Sequence, residues 1–272
     1  MELLKLSKAN AKTEALMEHL DLVPWLKADL AHPRGYKVYS FDILAGITCP
    51  GAKDCRSCVR IVDGKRTIHD GPDCLFRCFS ATAEVRLPDT WKLHKHNYDL
   101  VKAILDDKSK SDDEKTYSLV TLIEASIPKN AGIVRLHVSG DFFHPLYLRA
   151  WTEVADMNPC TLFYAYTKSL HLFKRSDFLA PRLGRYRVNF YITASRGGKY
   201  DHLIKPLALR STRVIFKESQ ARGLPIDHDD SHAATSGYSF ALLLHSVQPA
   251  GSDASKALQV LKKKGVGSYS RK

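Results

Sequence analysis

Short apolar runs rich in β-branched and aromatic residues recur along the chain, and each run predicts a strand. Turn residues bound the runs, and segments with helical spacing lie between several of them. This alternation predicts an α/β fold with a mainly parallel sheet, either open or curled into a partial (β/α) barrel. The predicted strands cover residues 36–44, 133–138, 161–166, 187–193, 213–216 and 240–245.

Helices are predicted between these strands. Pro145 stands at a first helical position and begins a helix that runs to Met157. Residues 74–127 predict two helices that flank the charged stretch 106–115. Shorter helices are predicted at residues 170–178 and within residues 2–31, where Leu16, Leu20 and Trp25 are apolar.

The length of 272 residues suits one large domain. We predict that residues 1–250 form a single α/β metal-binding domain with an N-terminal arm, and that residues 251–272 form a basic C-terminal tail. The apolar runs are too short to cross a bilayer, and residues 1–14 lack the features of a secretory signal. We therefore expect a cytoplasmic protein that does not contact a membrane. Its oligomeric state stays open.

The chain is strongly basic, with 41 Lys and Arg against 29 Asp and Glu and a net charge of +12. Such an excess attracts polyanions through counterion release, so nucleic acid is the expected partner. The alternative is that the charge serves solubility alone.

Three thiols, Cys49, Cys55 and Cys58, fall within one short loop after the first predicted strand. Converging thiolates repel one another unless a cation neutralises them, so the loop predicts a metal centre. Gly46 and the Pro50–Gly51 pair allow the tight turns that wrapping requires. The alternative is that the cysteines are small buried apolar residues.

The identity of the metal stays open at this point. Three thiolates on a four-iron cluster leave one iron free for a small molecule. Zinc would need a fourth ligand, for which His69, Cys74 and Cys78 are candidates. Cys74 and Cys78 are four residues apart and would share one helix face, as ligands, a redox pair or packing residues. Cys160 is expected to be a buried structural thiol.

Polar residues follow three of the predicted strands, where ligands bind in parallel α/β folds. Asp141 is the leading candidate outside the cysteines, with an N-cap for the helix at Pro145 as its alternative role. Lys168 offers an ammonium to a substrate or phosphate, or is an ordinary surface lysine. The other predicted binding residues at these strand ends are Ser139, Gly140, Tyr166, Thr167 and Ser195.

Residues 228–232 read His-Asp-Asp-Ser-His, a set that could bind a divalent metal or transfer protons. The spacing fits no named metal motif. An exposed acidic turn accounts for at least half of these side chains.

Several segments together resemble the phage gene product eighty-eight domain family, which would put the protein in the host cytoplasm. The resemblance extends over most of the chain and implies a fold more than an activity. It rests on LSKANAK at residues 6–12, AGITCPGAKDCRSC at 45–58, RLHVSGDFFHPLYLRAW at 135–151, FYAYTKS at 163–169 and SFALLLHSVQPAGS at 239–252.

A looser resemblance is to radical S-adenosylmethionine (radical SAM) enzymes. It implies that Cys49, Cys55 and Cys58 bind a 4Fe-4S cluster, and that Ser139, Gly140 and Asp141 match a second motif that contacts S-adenosylmethionine. The sequence departs from that family in the five residues between Cys49 and Cys55, in the missing Glu-Pro pair and in Ser57, where an aromatic is common.

The first hypothesis is therefore an iron–sulfur enzyme of radical SAM type that acts on a nucleic acid or nucleotide, with Asp141 and Lys168 as catalytic candidates. A second is a zinc-stabilised nucleic-acid-binding protein without chemistry. A third is a base-modifying enzyme of the transglycosylase kind, in which Asp141 attacks a sugar carbon and the metal is structural.

Overall fold

The computed structural model describes residues 2–9, 11–14, 16, 36–235 and 237–266. The strands are β1 (Leu6–Lys8), β2 (Lys37–Phe41), β3 (Ser57–Val62), β4 (Lys65–Asp70), β5 (Ala131–Leu136), β6 (Leu162–Thr167), β7 (Arg185–Arg187), β8 (Phe190–Ser195), β9 (Ser211–Ile215) and β10 (Phe240–Leu243). The helices are α1 (Ala11–Glu14), α2 (Phe79–Arg86), α3 (Pro88–Asp106), α4 (Asp112–Ser126), α5 (Pro145–Met157), α6 (Ser231–Ala234) and α7 (Asp253–Lys263).

The main sheet is mostly parallel, and its parallel strands follow one another in chain order. Neighbours run β2, β5, β6, β8, β9 and β10, while β1 pairs antiparallel with β2 and β7 pairs antiparallel with β8. The predicted α/β fold with a mainly parallel sheet is confirmed. Within the described residues β1 and β10 stand at opposite edges, so the sheet is not a closed barrel.

The strand order determines where the connecting helices lie. Crossovers between neighbouring parallel strands are almost always right-handed, so a sheet wound in one direction receives its helices on one face. Side chains of that face, such as Phe41 and Phe163, pack with Leu119 of α4 and Trp151 of α5 in one buried core. The Trp151 ring lies 5.0 Å from the Phe41 ring and 6.3 Å from the Phe163 ring.

The opposite face of the sheet carries a second core, built from the alternate residues of the same strands. Ile133, Tyr164 and Phe240 are fully buried there against Ala233 and Ala234 of the short helix α6. The long helices α3, α4 and α5 do not contribute to this core.

The antiparallel hairpin β3–β4 follows the cysteine loop and was not predicted. Its strands are half-exposed: β3 buries only Ser57 and Val59, and β4 alternates exposed with half-buried residues, so neither strand has a clear buried apolar stripe. Two helices are predicted within 74–127, whereas the structure has three, because α2 ends at Arg86 and Pro88 begins α3. Ser111 and Glu114 form a capping box at the start of the third, α4. The predicted helix at 145–157 is α5, and 3-10 turns occupy Leu170–Leu172 and Arg175–Asp177 in place of the helix predicted at 170–178.

The two ends of the described chain pack against the sheet. At the N-terminus, Leu16 is buried with Val38 in the second core, whereas Leu20 and Trp25 lie outside the described residues. In the segment predicted as a basic tail, residues 253–263 form α7, which buries Leu258 and Leu261 against β10 and its neighbours. None of the described helices combines the length and apolar character that crossing a membrane requires.

Candidate functional site

A cavity of about 640 Å³ opens at the carboxyl ends of the parallel strands. Its volume falls within the range of small-molecule sites. Helix α2 forms one wall, and Lys262 of α7 and the 244–247 segment contribute another. Cys58 and Ser139 are predicted site residues that do not line this cavity. The other predicted site residues line it: Cys49, Cys55, Gly140, Asp141, Tyr166, Thr167, Lys168 and Ser195.

The cysteine loop lies across the ends of β6 and β8. The backbone N–H groups of Lys53 and Asp54 donate to the Gly197 carbonyl at 3.2 and 2.9 Å, and the Lys199 N–H donates to the Gly51 carbonyl at 2.8 Å. Gly51 approaches Lys168 so closely that a Cβ there would stand 2.2 Å from the Lys168 carbonyl oxygen. The loop is therefore fixed to the strands that carry the other site residues.

Three thiols share the cavity: Cys49 and Cys55 from the loop and Cys78 from the start of α2. Burial raises the pKa of Cys49 well above its ordinary value, and the charges of Asp141, Cys78 and Cys55 raise it further. Burial also raises the pKa of Cys78 to about 12, with Cys55 as the next cause. These thiols act on one another electrostatically, and a nearby cation would be needed to hold them as thiolates.

The other cysteines differ from their predicted positions. Cys58 lies in β3 opposite His69, and its Cβ is 2.8 Å from where a Gly46 Cβ would stand. Cys74 and Cys78 do not share a helix face: Cys74 precedes the helix and donates to the Phe76 carbonyl at 3.1 Å, and Cys78 is the N-cap of α2.

Cys160 was expected to be buried, and this expectation is wrong. Its side chain is exposed, because it lies in the turn between α5 and β6, before the strand enters the core at Leu162. Among the residues that the structure describes, no three His, Cys, Asp or Glu side chains are grouped so that they could hold a single metal ion.

Asp141 joins the loop after β5 to the end of β6. Its Oδ1 accepts hydrogen bonds from the Thr167 hydroxyl at 2.6 Å and the Phe142 N–H at 2.7 Å, and its Oδ2 accepts from the Lys168 N–H at 2.8 Å. Burial raises the pKa of Asp141 to about 6, although these hydrogen bonds and the Lys168 charge oppose the rise. A carboxyl group with that pKa can exchange a proton near neutral pH.

The alternative role of Asp141 as a helix cap is wrong. The N-cap of α5 is His144, whose Nδ1 accepts from the Leu146 N–H at 3.2 Å. Asp141 precedes this cap by three residues, and its carboxylate is already occupied at the end of β6.

Lys168 is buried, with 8% of its surface exposed, and its ammonium donates to the Ser195 hydroxyl. It is therefore not an ordinary surface lysine. The carboxylates of Asp54 and Asp141 act on it electrostatically, but in the described part of the chain neither forms an ion pair with it. The cavity thus contains a buried cation that contacts no carboxylate of the described residues directly.

A polar cluster forms the floor of the cavity beside Tyr166. The hydroxyls of Tyr164 and Tyr166 each donate to the Asp230 carboxylate at 3.2 Å, and Arg135 forms a buried ion pair with the same carboxylate. The Arg135 guanidinium lies 5.3 Å from the Tyr166 ring centroid. Of residues 228–232, Asp230 is the one that lines the cavity, and its φ of +66° is in the left-handed region.

Glu84 is a buried residue behind the cavity that sequence analysis missed. Its Oε1 accepts from the Ala45 N–H at 2.9 Å and the Ser139 hydroxyl at 3.0 Å, and it lies 2.8 Å from His94 Nδ1. Ser139 therefore supports the cysteine loop from outside the cavity. The only signal in the sequence is a single carboxylate among the small residues at 79–86.

The fold and the cavity define an α/β protein with an open parallel sheet wound in one direction, in which a thiol-bearing loop covers the strand ends. The chain belongs to the gene product 88 family, whose family model matches residues 4–262. This match confirms the resemblance to the phage family. Neither the curated proteins nor the solved structures contain a significant match to the chain.

Proposed function

We propose that this protein is an iron–sulfur enzyme of radical SAM type that acts on a nucleic acid or nucleotide in the host cytoplasm. The observation that carries the proposal is the position of the cysteine loop. It follows the first parallel strand of a sheet wound in one direction, and it brings Cys49 and Cys55 to a cavity at the strand ends. In this proposal the open sheet is a partial (β/α) barrel.

The thiol groups that line the cavity are suitable ligands for a 4Fe-4S cluster, and zinc is the alternative metal. Thiolate is the ligand type that iron–sulfur clusters use, and a bound cluster would favour the charged form of thiols whose pKa burial has raised. Cys49, Cys55 and Cys58 are the proposed ligands. Cys78 is a competing third ligand, because it lines the cavity and Cys58 does not.

The remaining site residues have proposed roles around this centre. Asp141 and Lys168 are the proposed catalytic residues, and Gly140, Tyr166, Thr167 and Ser195 would contact S-adenosylmethionine if it is the cosubstrate. When bound, the cluster would supply electrons to that cosubstrate. The net charge of +12 supports a polyanionic substrate.

The proposal is tested by anaerobic purification and reconstitution with iron and sulfide. We expect bound iron, bound sulfide and a visible charge-transfer absorption. Cys49→Ala and Cys55→Ala should lose all three. The matched control is Cys160→Ala, because that thiol is exposed and does not line the cavity.

Two further variants identify the third ligand. If Cys58→Ala loses the cluster and Cys78→Ala retains it, the loop supplies all three thiolates; the reverse result assigns the third position to α2. A colourless protein that contains zinc and no iron after reconstitution would contradict the proposal. Salt-dependent DNA binding that survives Asp141→Ala would then favour the zinc-stabilised binding protein.

A further inference from the structure

The cations around the cavity outnumber its carboxylates. In the described chain the lining includes Arg77, Arg86, Arg135, Lys168 and Lys262, whereas its carboxylates are Asp141 and Asp230. A cavity with this imbalance attracts anions, and its partly apolar walls strengthen the attraction by excluding water.

In the part of the chain that the structure describes, carboxylates neutralise two of these cations and not the other three. Arg77 forms an ion pair with Asp70, and Arg135 forms one with Asp230. Within the described residues, Arg86, Lys168 and Lys262 have no ion pair with a carboxylate. The three lie on α2, at the end of β6 and on α7, so they face the same cavity from separate elements.

Lys168 is the most deeply buried of these three cations. More than nine-tenths of it is buried, and its ammonium contacts the neutral Ser195 hydroxyl. Burying a charge without a counterion costs free energy, so an anion in the cavity would stabilise this arrangement. Arg86 and Lys262 are exposed at the rim, where they can meet further negative charge on the same ligand.

The rest of the lining indicates what the anion is attached to. Apolar and aromatic side chains line part of the cavity, among them Phe76, Phe79, Leu242, Leu244 and Val247. Flat bases stack well on aromatic side chains, whereas a bare inorganic anion would gain nothing from this surface. The Tyr166 ring and the Asp230 carboxylate add polar groups at the floor.

We infer that the cavity binds the phosphate group of a nucleotide through Lys168, with Arg86 and Lys262 contacting further phosphate charge. The inference rests on the proposed function in that it assigns a substrate class to the same cavity. A free nucleotide and a nucleotide unit of a single-stranded nucleic acid present this chemistry equally. Lysine binds phosphate as a point charge and needs no fixed fork geometry.

The test is calorimetric titration of the full chain, both as purified and after anaerobic reconstitution. The probes are deoxynucleoside monophosphates and triphosphates, the matching nucleosides, and a short single-stranded DNA. We expect the phosphate-bearing probes to bind and the nucleosides to bind at least tenfold more weakly, since one buried ion pair is worth about 1.4 kcal/mol or more. A preference for the triphosphate or for the DNA strand distinguishes the two sources.

Variants connect the binding to the named residues. Lys168→Met keeps the aliphatic stem and should weaken phosphate binding about tenfold or more. Arg86→Gln and Lys262→Gln change exposed side chains, so they should fold and should each weaken binding by about threefold. The matched control is Lys263→Gln, the neighbour of Lys262 on α7, which does not line the cavity.

The inference is overturned if folded protein binds no phosphate-bearing probe, or if binding is unchanged in Arg86→Gln, Lys262→Gln and Lys168→Met alike. Binding of S-adenosylmethionine without binding of any phosphate-bearing probe would also overturn it and leave the iron–sulfur proposal intact. Phosphate binding by a protein that takes up no iron would support the inference and contradict the proposed cofactor.

Discussion

The Oδ1 oxygen of Asp141 accepts a hydrogen bond from the Thr167 hydroxyl at 2.6 Å, and this contact joins the loop that follows β5 to the end of β6. The second carboxylate oxygen, Oδ2, accepts a hydrogen bond from the Lys168 backbone N–H at 2.8 Å. The backbone that presents the Lys168 ammonium to the cavity is therefore held by a neighbouring loop. The charge state of Asp141 then matters for the geometry of the site as well as for any proton transfer.

The raised pKa of Asp141 predicts a pH-dependent stability. Its pKa is about 6 in the folded protein against an ordinary value of 3.8. Between these values the folded chain binds more protons than the unfolded chain, so this group's contribution falls as pH rises from about 4 to about 6 and is constant above that. A shift of this size corresponds to roughly 3 kcal/mol. Urea denaturation across this pH range measures it.

The comparison with Asp141→Asn isolates this contribution, because the amide does not titrate. The difference in unfolding free energy between the natural chain and the variant should shrink by roughly 3 kcal/mol between about pH 4 and pH 6. Asp156→Asn, a change at an exposed carboxylate, should leave the pH profile unchanged. The prediction would be refuted if the unfolding free energies of Asp141→Asn and of the natural chain changed equally with pH.

The sequence predicts the parallel strands of the main sheet because each is a short apolar run bounded by turn residues, and it misses the short antiparallel strands β1 and β7. It fails at the hairpin β3–β4, whose half-exposed strands carry Arg60 and Arg66 and bury too little apolar surface to leave a pattern. The order of the strands in the sheet also cannot be read from local patterns. It depends on contacts such as Ala165 beside Ile192, which are distant in the chain.

The candidate site is predictable where it follows the ends of strands. Asp141, Thr167 and Lys168 come directly after β-branched or aromatic runs, and the structure brings them together. Glu84 is not predictable, because a buried carboxylate on a helix is explained only by donors that arrive from elsewhere in the chain. Lys262 is predicted only as part of the basic tail, because it reaches the cavity through the packing of α7.

Glu84 is predicted to be essential for the stability of the cysteine loop. Glu84→Ala leaves the Ala45 N–H and the Ser139 hydroxyl without their acceptor and removes the partner of His94. Unsatisfied buried donors and a broken buried pair together cost roughly 3–5 kcal/mol. Chemical denaturation at neutral pH measures the loss.

The conservative change Glu84→Gln keeps the side-chain volume and one acceptor oxygen and removes only the carboxylate. Oε2 of Glu84 has no hydrogen-bond partner among the described residues, so an amide nitrogen can occupy its place while the remaining oxygen still accepts. Glu84→Gln should lower the free energy of unfolding by about 1–2 kcal/mol. Glu153→Ala, at an exposed ion pair with Arg149, should cost less than about 1 kcal/mol. Equal losses for Glu84→Gln and Glu84→Ala would show that the hydrogen bonds are not the cause.

Gly51→Ala is predicted to displace the cysteine loop from β6. The new Cβ would stand 2.2 Å from the Lys168 carbonyl oxygen. Side-chain rotation cannot relieve this clash, because a Cβ is fixed to its backbone and the oxygen is part of the backbone. Overpacking of this kind costs about 1–3 kcal/mol, and it should also weaken ligand binding at Lys168. Gly237→Ala is the control, since its Cβ would meet nothing closer than 3.7 Å. A Gly51→Ala protein with natural stability would contradict the close approach.

Arg210 is predicted to hold the segment that carries Asp230 beneath the cavity. Its guanidinium is buried and donates to the carbonyl oxygens of His232, Ala233, Thr235 and Gly237. Burial lowers the pKa of Arg210 to about 10, so the side chain stays charged at neutral pH. The Arg210 guanidinium therefore supplies hydrogen bonds to carbonyls at and after the end of the short helix α6, which have no partner within the helix.

Arg210→Lys should destabilise the protein nearly as much as Arg210→Met, by roughly 3–5 kcal/mol, because one ammonium cannot reproduce a planar fork that reaches carbonyls on several sides. Urea denaturation measures the loss, and the exposed Arg175→Lys serves as the control. Both Arg210 variants should also weaken ligand binding, since residues 232–235, which Arg210 holds, follow the Asp230 that anchors Arg135 and Tyr166. A stable Arg210→Lys protein would mean that charge alone holds this segment.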